Sequence, residues 1–256
     1  MATRPTQNRI RPWAVAVWLL VWQGASMAFR VLWPHGHLLL ASPVDAAVRL
    51  VQLSGTAPFW HSVAATVVRI FGGFLLSCAL AVVLAALSAR FRAVRELLAP
   101  LVAVVKTVPV VSFIILALVW LDSANLSLFI SALMVFPPVY LNVLTGISTA
   151  DGKLLEMAKV FRVPLTRQLR GIYLPAVLPH FRSAASLGLG LCWKAGIAAE
   201  VIGLPAGTVG EALYNAKVYY ETADLFAWTV VIVAMSVVVE KLFLRLVDAA
   251  AERAGA

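Results

Sequence analysis

Long apolar runs, separated by short polar or proline-containing segments, dominate the chain. A helix that crosses a bilayer needs about 20 mostly apolar residues, and six segments reach that length. They cover residues 13–33, 61–89, 97–121, 126–145, 184–204 and 225–247, with a longer polar segment at 146–183. The pattern therefore predicts an all-α membrane protein with six transmembrane helices and one domain, 1–256.

Composition supports a membrane protein and argues against a soluble one. Of the 256 residues, 62% are hydrophobic and 13% are charged, whereas soluble domains average about 45–50% apolar and about 25% charged residues. The net charge of +9 would suggest nucleic acid as the partner of a soluble protein. In a membrane protein, positive charge sets orientation instead. We therefore expect the lipid bilayer, and no nucleic acid, as a partner.

The distribution of Lys and Arg predicts the topology, because short cytoplasmic loops carry the excess of positive charge. With both termini inside, fifteen of the 21 basic residues fall on the cytoplasmic side, and only Arg49 and Lys217 fall outside. The remaining four lie within the spans. We expect an N-in, C-in membrane protein, with segment 146–183 in the cytoplasm.

The first span could alternatively be a signal peptide, because Arg4, Arg9 and Arg11 precede it. Its apolar run continues beyond the usual length of about 7–15 residues, which favours a retained helix.

Two outer segments are predicted to form interfacial amphipathic helices. Ser42-Pro43 is a favourable helix start, with Ser as N-cap and Pro at the first helical position. The Gly- and Pro-rich segment 203–210 breaks the chain before an apolar stripe that includes Tyr214 and Tyr219.

Segment 146–183 contains a predicted amphipathic helix. Asp151 can cap it, and Val163-Pro164 can end it and open a second helix. Its apolar stripe consists of Leu154, Leu155, Ala158 and Phe161. Such a helix could lie on lipid headgroups or dock into the groove of a partner protein, and the spacing alone does not decide between the two.

The same segment resembles the EAA loop of ABC importer permeases. Glu156-Met157-Ala158 is followed after three residues by Arg162 and after nine more by Ile172-Tyr173-Leu174-Pro175. Met157 replaces an Ala of the family pattern, and Arg162 replaces a Gly. Because a positive φ is costly for Arg, we expect the turn to adopt an ordinary conformation set by Pro164.

Residues 61–75, 106–109 and 193–203 are similar to permeases of the nitrate, sulfonate and taurine branch, which also includes permeases for aliphatic and pyrimidine-type precursors. The resemblance implies the type I ABC importer permease fold, a multi-pass protein of the bacterial inner (cytoplasmic) membrane, and a homodimer of two permease copies. It also implies two ABC ATPase subunits and an extracytoplasmic solute-binding protein. The implied ATPase-coupling residues are Glu156, Met157, Ala158, Phe161, Arg162, Ile172, Leu174 and Pro175.

The chain contains no Gly-x-x-x-x-Gly-Lys-Ser/Thr loop that would hold nucleotide phosphates. We therefore expect no cofactor in this chain and no enzyme activity, with ATP and Mg on the partner ATPase. His35 and His37 lack the carboxylate or Cys neighbours of a metal site, so no metal is expected either.

Charged residues inside spans mark either a transport pathway or a structural pair. Arg69, Lys106 and Lys194 outnumber Glu200, which suggests a small anion such as a sulfonate or nitrate as cargo; a neutral or cationic pyrimidine or thiamine-precursor compound is the alternative. A channel or ion-coupled secondary transporter using Lys194 and Glu200 is the rival class. The candidate pathway residues are Lys194, Glu200, Arg69, Tyr140, Asn142 and Trp193.

Three further expectations concern packing. The small residues of the fifth span, among them Gly188 and Gly196, should place it deep in the bundle or at a dimer interface. Pro137-Pro138 should interrupt hydrogen bonding in the fourth span, and Pro109 should end or kink the third.

Overall fold

The structure, a computed structural model, describes residues 12–254. The predicted basic N-terminal segment with Arg4, Arg9 and Arg11 lies outside the described residues. Within them, every regular element is helical. In chain order the helices are α1 Pro12–Leu32, α2 Gly36–Leu39, α3 Pro43–Ser54, α4 Ala57–Arg90, α5 Arg92–Thr107, α6 Val110–Ala117, α7 Ser123–Ser148, α8 Gly152–Val160, α9 Leu165–Gln168, the π-helical turn Leu169–Tyr173, α10 Leu174–Gly203, α11 Val209–Val218 and α12 Thr222–Ala254.

Four stretches in the described part of the chain are long and apolar enough to cross a membrane: α1, α4, α7 and the continuous helix 165–203. The bent pair α5 and α6 makes a fifth if it is counted as one span. The predicted sixth span, 225–247, falls within α12. The count of six and the inward-facing termini stay predictions.

Helices α4, α7 and α10 form the centre of the bundle. Phe74 of α4, Val135 of α7 and Leu189 of α10 are fully buried and belong to one hydrophobic cluster. In the most apolar stretch of the helix that contains α10, 56% of the residues are buried. The same share is 39% in α4 and in α7, and 6% in α1. The prediction that the fifth span lies deep in the bundle is therefore confirmed, and α1 lies at its edge.

Two glycines allow the central helices to approach closely. A Cβ at Gly73 of α4 would lie 2.3 Å from the backbone oxygen of Leu128 on α7. A Cβ at Gly196 of α10 would lie 2.5 Å from the Ser131 Oγ on α7. Any larger residue at either position would push helices apart in the membrane, where close backbone packing is the main source of association.

The third predicted span, 97–121, is broken rather than continuous. Helix α5 already begins at Arg92, and α6 follows after Val108-Pro109 at an angle of 106°. Proline has no N–H and clashes with the preceding turn, so the break falls where Pro109 predicts it. The prolines of the fourth span have a weaker effect, because Pro137 and Pro138 both lie inside the uninterrupted helix α7.

The segment predicted as loop 146–183 is mostly helical. Helix α7 continues to Ser148, and one continuous helix runs from Leu165 to Gly203 through a π-helical turn. The helix that contains the fifth predicted span, 184–204, therefore begins well before that span, and the span's own bounds stay a prediction. The apolar pattern of the fifth span begins only near residue 184, but α10 starts at Leu174. Its first turn contains Pro175, at a position where Pro is tolerated in a helix.

The outer helices begin as their caps predict. Ser42 caps α3, because its Oγ accepts a hydrogen bond from Asp45 N–H at 3.1 Å while the Asp45 carboxylate accepts one from Ser42 N–H at 2.9 Å. The Ser42 backbone hydrogen bond is the main cause that lowers the pKa of Asp45, and Arg30 contributes through an ion pair. A second ion pair joins Arg49 of α3 to Asp224 of α12, with Nη2 and Oδ2 2.7 Å apart.

Candidate coupling helix and buried carboxylate site

Helix α8 forms where the N-cap predicts it. The Asp151 Oδ1 accepts a hydrogen bond from Lys153 N–H at 2.8 Å, which satisfies one of the free donors at the helix start. Met157 and Ala158 occupy the second half of the helix, and Glu156 is exposed there. The helix ends at Val160, followed by Phe161 and Arg162.

The turn after α8 differs from its prediction. Arg162 has φ 51° and so adopts the left-handed conformation that the sequence argument considered too costly. The compensation is a pair of hydrogen bonds: Val163 N–H donates to the Ala158 carbonyl at 2.8 Å, and Arg162 N–H donates to the Lys159 carbonyl at 3.2 Å. These two bonds define the Schellman motif that ends many helices. The turn keeps the left-handed backbone conformation that a Gly would adopt easily, and Arg162 adopts it at an energetic cost.

Some side chains of the apolar stripe of α8 are buried against the rest of the chain, and others are exposed. Ala158 is buried and Leu155 half-buried, so these two pack onto the permease. Leu154, Met157, Val160 and Phe161 stay exposed, with 74% of Phe161 accessible. A short helix with this much uncovered apolar surface at one end of the bundle is a candidate docking surface.

The second half of the motif lies in a different element. Ile172 belongs to the π-helical turn, whereas Leu174 and Pro175 begin α10. Ile172 and Pro175 are half-buried and Leu174 is exposed at 37%. The two halves of the motif therefore lie on α8 and at the base of α10, the most buried helix of the bundle.

At the opposite end of α10, Glu200 is fully buried and forms a polar junction of three helices. Its Oε2 accepts a hydrogen bond from the Thr66 hydroxyl of α4 at 2.8 Å and one from Gly210 N–H of α11 at 3.2 Å. The Thr66 Oγ1 in turn accepts a hydrogen bond from Val209 N–H at 3.0 Å. The carboxylate thus faces the N-terminus of α11, where unpaired N–H groups and the helix dipole favour negative charge.

Arg69 lies near this junction. It follows Thr66 by three residues on α4, and its buried Nη1 has no hydrogen-bond partner among the described residues. The same holds for Glu200 Oε1 and for Ser127 Oγ. Gly210 is required beside them, because a Cβ there would lie 2.2 Å from the Cβ of Glu200.

The structure does not gather the other candidate pathway residues at this junction. Lys194 is exposed on α10, six residues before the fully buried Glu200. Tyr140 is buried, and its hydroxyl donates to Ser88 Oγ at 2.9 Å towards the other end of α4. The Asn142 amide donates to the Pro138 carbonyl at 2.8 Å within α7. Trp193 is buried, and its Nε1 lacks a partner in the part of the chain that is described.

Sequence reasoning missed Thr66 and Gly210. The signal was present in the long apolar helix α4, where hydroxyl side chains recur on one face: Ser62, Thr66, Ser77 and Ser88 are all buried. Spacings of four and eleven residues keep polar groups on one helix face, and hydroxyls on such a face in a membrane helix indicate contacts between helices.

Comparison with known proteins agrees with these elements. Residues 79–254 match the family described as the binding-protein-dependent transport system inner membrane component. The chain is 27% identical over 211 residues to the putative aliphatic sulfonates transport permease protein SsuC of Bacillus subtilis, covering 82% of this chain and 76% of that protein. It is 28% identical over 229 residues to the SsuC protein of Escherichia coli, covering 89% and 85%.

A third relative is the riboflavin transport system permease protein RibX of Chloroflexus aurantiacus, 28% identical over 210 residues, with 78% of this chain and 77% of that protein covered. The family match extends over more than half of the chain and includes α8, α10 and α12. The chain belongs to the family of binding-protein-dependent transport system inner membrane components, which are the multi-pass permeases of bacterial ABC importers. The predicted resemblance, with its sulfonate branch, and the all-α fold class are confirmed. Such permeases are not themselves catalytic.

Proposed function

We propose that this chain forms, as a homodimer, the translocation pathway of an ABC importer. Two separate ATPase subunits, with their ATP and Mg, would dock on α8, and an extracytoplasmic solute-binding protein would deliver the solute. The observation that supports this most is the uncovered apolar surface of α8, with Met157 and Phe161 exposed beside Glu156 inside the part of the chain that matches the family.

The physical argument for docking rests on surface and rigidity. Lipid headgroups attract the basic residues of this segment but offer no defined pocket for Phe161. A protein groove can bury exposed apolar side chains of a preformed helix without ordering it first. The Asp151 cap and the Schellman turn at Arg162 fix both ends of α8, so the helix is already preorganised.

The rival class, an ion-coupled secondary transporter, needs Glu200 to be available to an ion. Thr66 and Gly210 both bond its Oε2, which supports a role in holding α4, α10 and α11 together. Transport measured in proteoliposomes that lack any ATPase distinguishes the classes, because an importer subunit alone would show none.

Glu156→Lys tests the coupling assignment. Glu156 is exposed, so the change should cost the fold no more than about 0.5 kcal/mol. It would reverse a charge at the ATPase contact, so uptake and transport-linked ATPase activity should fall while membrane insertion and dimerisation persist. Glu252→Lys, at an exposed position on α12, is the matched control and should behave as the wild type. Wild-type uptake by the Glu156 variant would disprove the coupling role, and loss of expression would make the residue structural.

For the cargo, we propose a small anion such as a sulfonate or nitrate. Named sulfonate permeases among the relatives support this, together with the exposed Lys194 on α10. A riboflavin permease among the relatives keeps a neutral heterocyclic compound as the competing cargo. Uptake competition separates them: inhibition by alkanesulfonates and nitrate is expected, and inhibition only by neutral heterocycles would overturn the anion proposal.

A further inference from the structure

A large cavity opens at the α8 end of the bundle, away from both Glu200 and the exposed face of α8. It has a volume of about 1020 Å³ and lies between the last turns of α4 and α7, the first turn of α5 and the π-helical turn. Pockets that hold small ligands typically measure about 300–1,000 Å³, so this one can hold a sizeable molecule.

The walls of the cavity are mostly apolar. Leu141 and Leu144 of α7 line one side, and Leu165 and Leu169 line another. Leu165 remains 65% exposed and Leu169 50% exposed, although both face a concave surface. Uncovered leucines in a cavity at the membrane edge require an apolar occupant, because water gains nothing from filling such walls.

Three arginines surround these apolar walls: Arg90 at the end of α4, Arg95 in α5 and Arg170 in the π-helical turn. None of them pairs with a carboxylate among the side chains that the structure describes, and the Arg90 guanidinium lies over the Phe91 ring, 5.3 Å from its centroid. The adjacent Glu96 is bound instead by Arg92, with Nε and Oε1 2.7 Å apart. The cavity therefore combines three positive charges, those of the arginines, with an apolar interior.

This combination selects the occupant. A free inorganic anion would satisfy the arginines but leave the leucines uncovered, and a neutral lipid would do the reverse. A diacyl phospholipid with an anionic headgroup satisfies both, because basic residues at the membrane surface attract its phosphate while its chains remain in apolar surroundings. The long apolar helix α4 ends at Arg90, which places the arginine at headgroup depth.

We propose that this cavity is a binding site for one anionic phospholipid, with its phosphate held by Arg90, Arg95 and Arg170 and an acyl chain lying along Leu144 and Leu169. The lipid would fill the space between α4, α7 and the base of α10. It would thereby connect the coupling region with the central helices.

The test uses the full chain, purified in a neutral detergent and titrated with dioleoylphosphatidylglycerol or dioleoylphosphatidylcholine, with bound lipid counted by native mass spectrometry. One phosphatidylglycerol should bind per chain, and phosphatidylcholine should not be retained. The triple variant R90Q/R95Q/R170Q should bind about 100-fold more weakly, since each basic residue near an anionic headgroup contributes about fivefold. The control K153Q/K159Q/R167Q removes the same charge from nearby positions outside the cavity and should bind like the wild type.

A second variant keeps the arginines and fills the cavity. Leu169→Trp should lose the phospholipid at unchanged charge, which keeps the test decisive if the triple variant is poorly folded. Equal retention of both lipids, or equal loss in the control variant, would overturn the proposal. Complete competition by inorganic phosphate would reassign the cavity to a free anion, and competition by butanesulfonate at the same concentration would reassign it to the cargo.

Discussion

The two ends of α10 use polar and apolar residues in opposite ways. At Glu200 a charged group is buried, and its hydrogen bonds join α4, α10 and α11. At α8 the apolar side chains of Met157 and Phe161 are exposed, and the hydrogen bonds are local to the helix caps. The buried polar group holds helices of one chain together, whereas the exposed apolar side chains of α8 form the docking surface proposed above. The difference suggests that substitutions at one end act on folding and at the other on assembly.

Thr66→Val should give the largest effect on stability. The substitution removes the hydroxyl that donates to Glu200 and accepts from Val209 N–H, so two buried groups lose a partner. Each such loss costs about 1–3 kcal/mol, and thermal unfolding in detergent should show a clear destabilisation. Thr229→Val is the matched control, because Thr229 is exposed on α12 and bonds only the Leu225 carbonyl. Equal destabilisation of both variants would show that the Thr66 hydrogen bonds at the Glu200 junction contribute no more to stability than the exposed Thr229 bond.

Phe161→Ala should act on assembly and leave folding intact. Truncating an exposed aromatic anchor in a protein interface costs about 2 kcal/mol, or roughly thirtyfold in Kd for the ATPase. The unfolding temperature of the isolated permease should not change, because 74% of Phe161 is accessible. Phe129→Ala is the control: Phe129 is also exposed, at 42%, but lies on α7. Unchanged ATPase affinity in the Phe161 variant would remove α8 from the docking surface.

Arg162→Gly should stabilise the turn after α8. The left-handed conformation costs an L-residue about 1–2 kcal/mol, and the greater freedom of Gly in the unfolded chain takes back about half of the gain. We expect slower hydrogen exchange in α8, because the Schellman bonds to Ala158 and Lys159 should open less often. Arg162→Ala removes the side chain but keeps the strain and should bring no such protection. If both variants lose ATPase stimulation equally, the guanidinium itself takes part in coupling.

The smallest effect concerns pH at the outer helix α3. The pKa of Asp45 lies below its usual value of 3.8, chiefly through the Ser42 backbone hydrogen bond. The stabilisation is therefore complete above the unfolded-state pKa and is lost as pH falls through the lower folded value. Hydrogen exchange in residues 43–54, corrected for intrinsic rates, should increase below about pH 4 in the wild type. Asp45→Asn should abolish this pH dependence.

The features that the sequence predicted correctly are local ones. Ser42 and Asp151 cap their helices through neighbours two or three residues away, and Pro109 breaks the chain at its own position. Such signals need no knowledge of tertiary structure. The apolar spacing of α8 was equally visible, but which of its side chains would be covered was not: Ala158 packs inward, while Phe161 does not.

Two features could not be predicted from local sequence: the hydrogen bond between Thr66 and Glu200, and the left-handed turn at Arg162. Thr66 and Glu200 are 134 positions apart in the chain, so no periodicity links them. The turn at Arg162 was misjudged because the cost of a positive φ was considered without the two Schellman hydrogen bonds that offset it. The span predicted at 184–204 did not indicate that α10 begins at Leu174, because hydrophobicity reports what lies in the membrane and helices continue beyond it.

The continuity of α10 has a mechanical consequence. Thirty helical residues form a rod about 45 Å long. If the rod tilts by about 10° around its midpoint, its two tips travel about 4 Å in opposite directions, by the same geometry. A push on Leu174 from below would therefore pull Glu200, and with it the start of α11, the other way. Gly188, which lies near that midpoint and where a Cβ would come within 3.3 Å of Val135 Cγ1 on α7, marks the point about which such a tilt would turn.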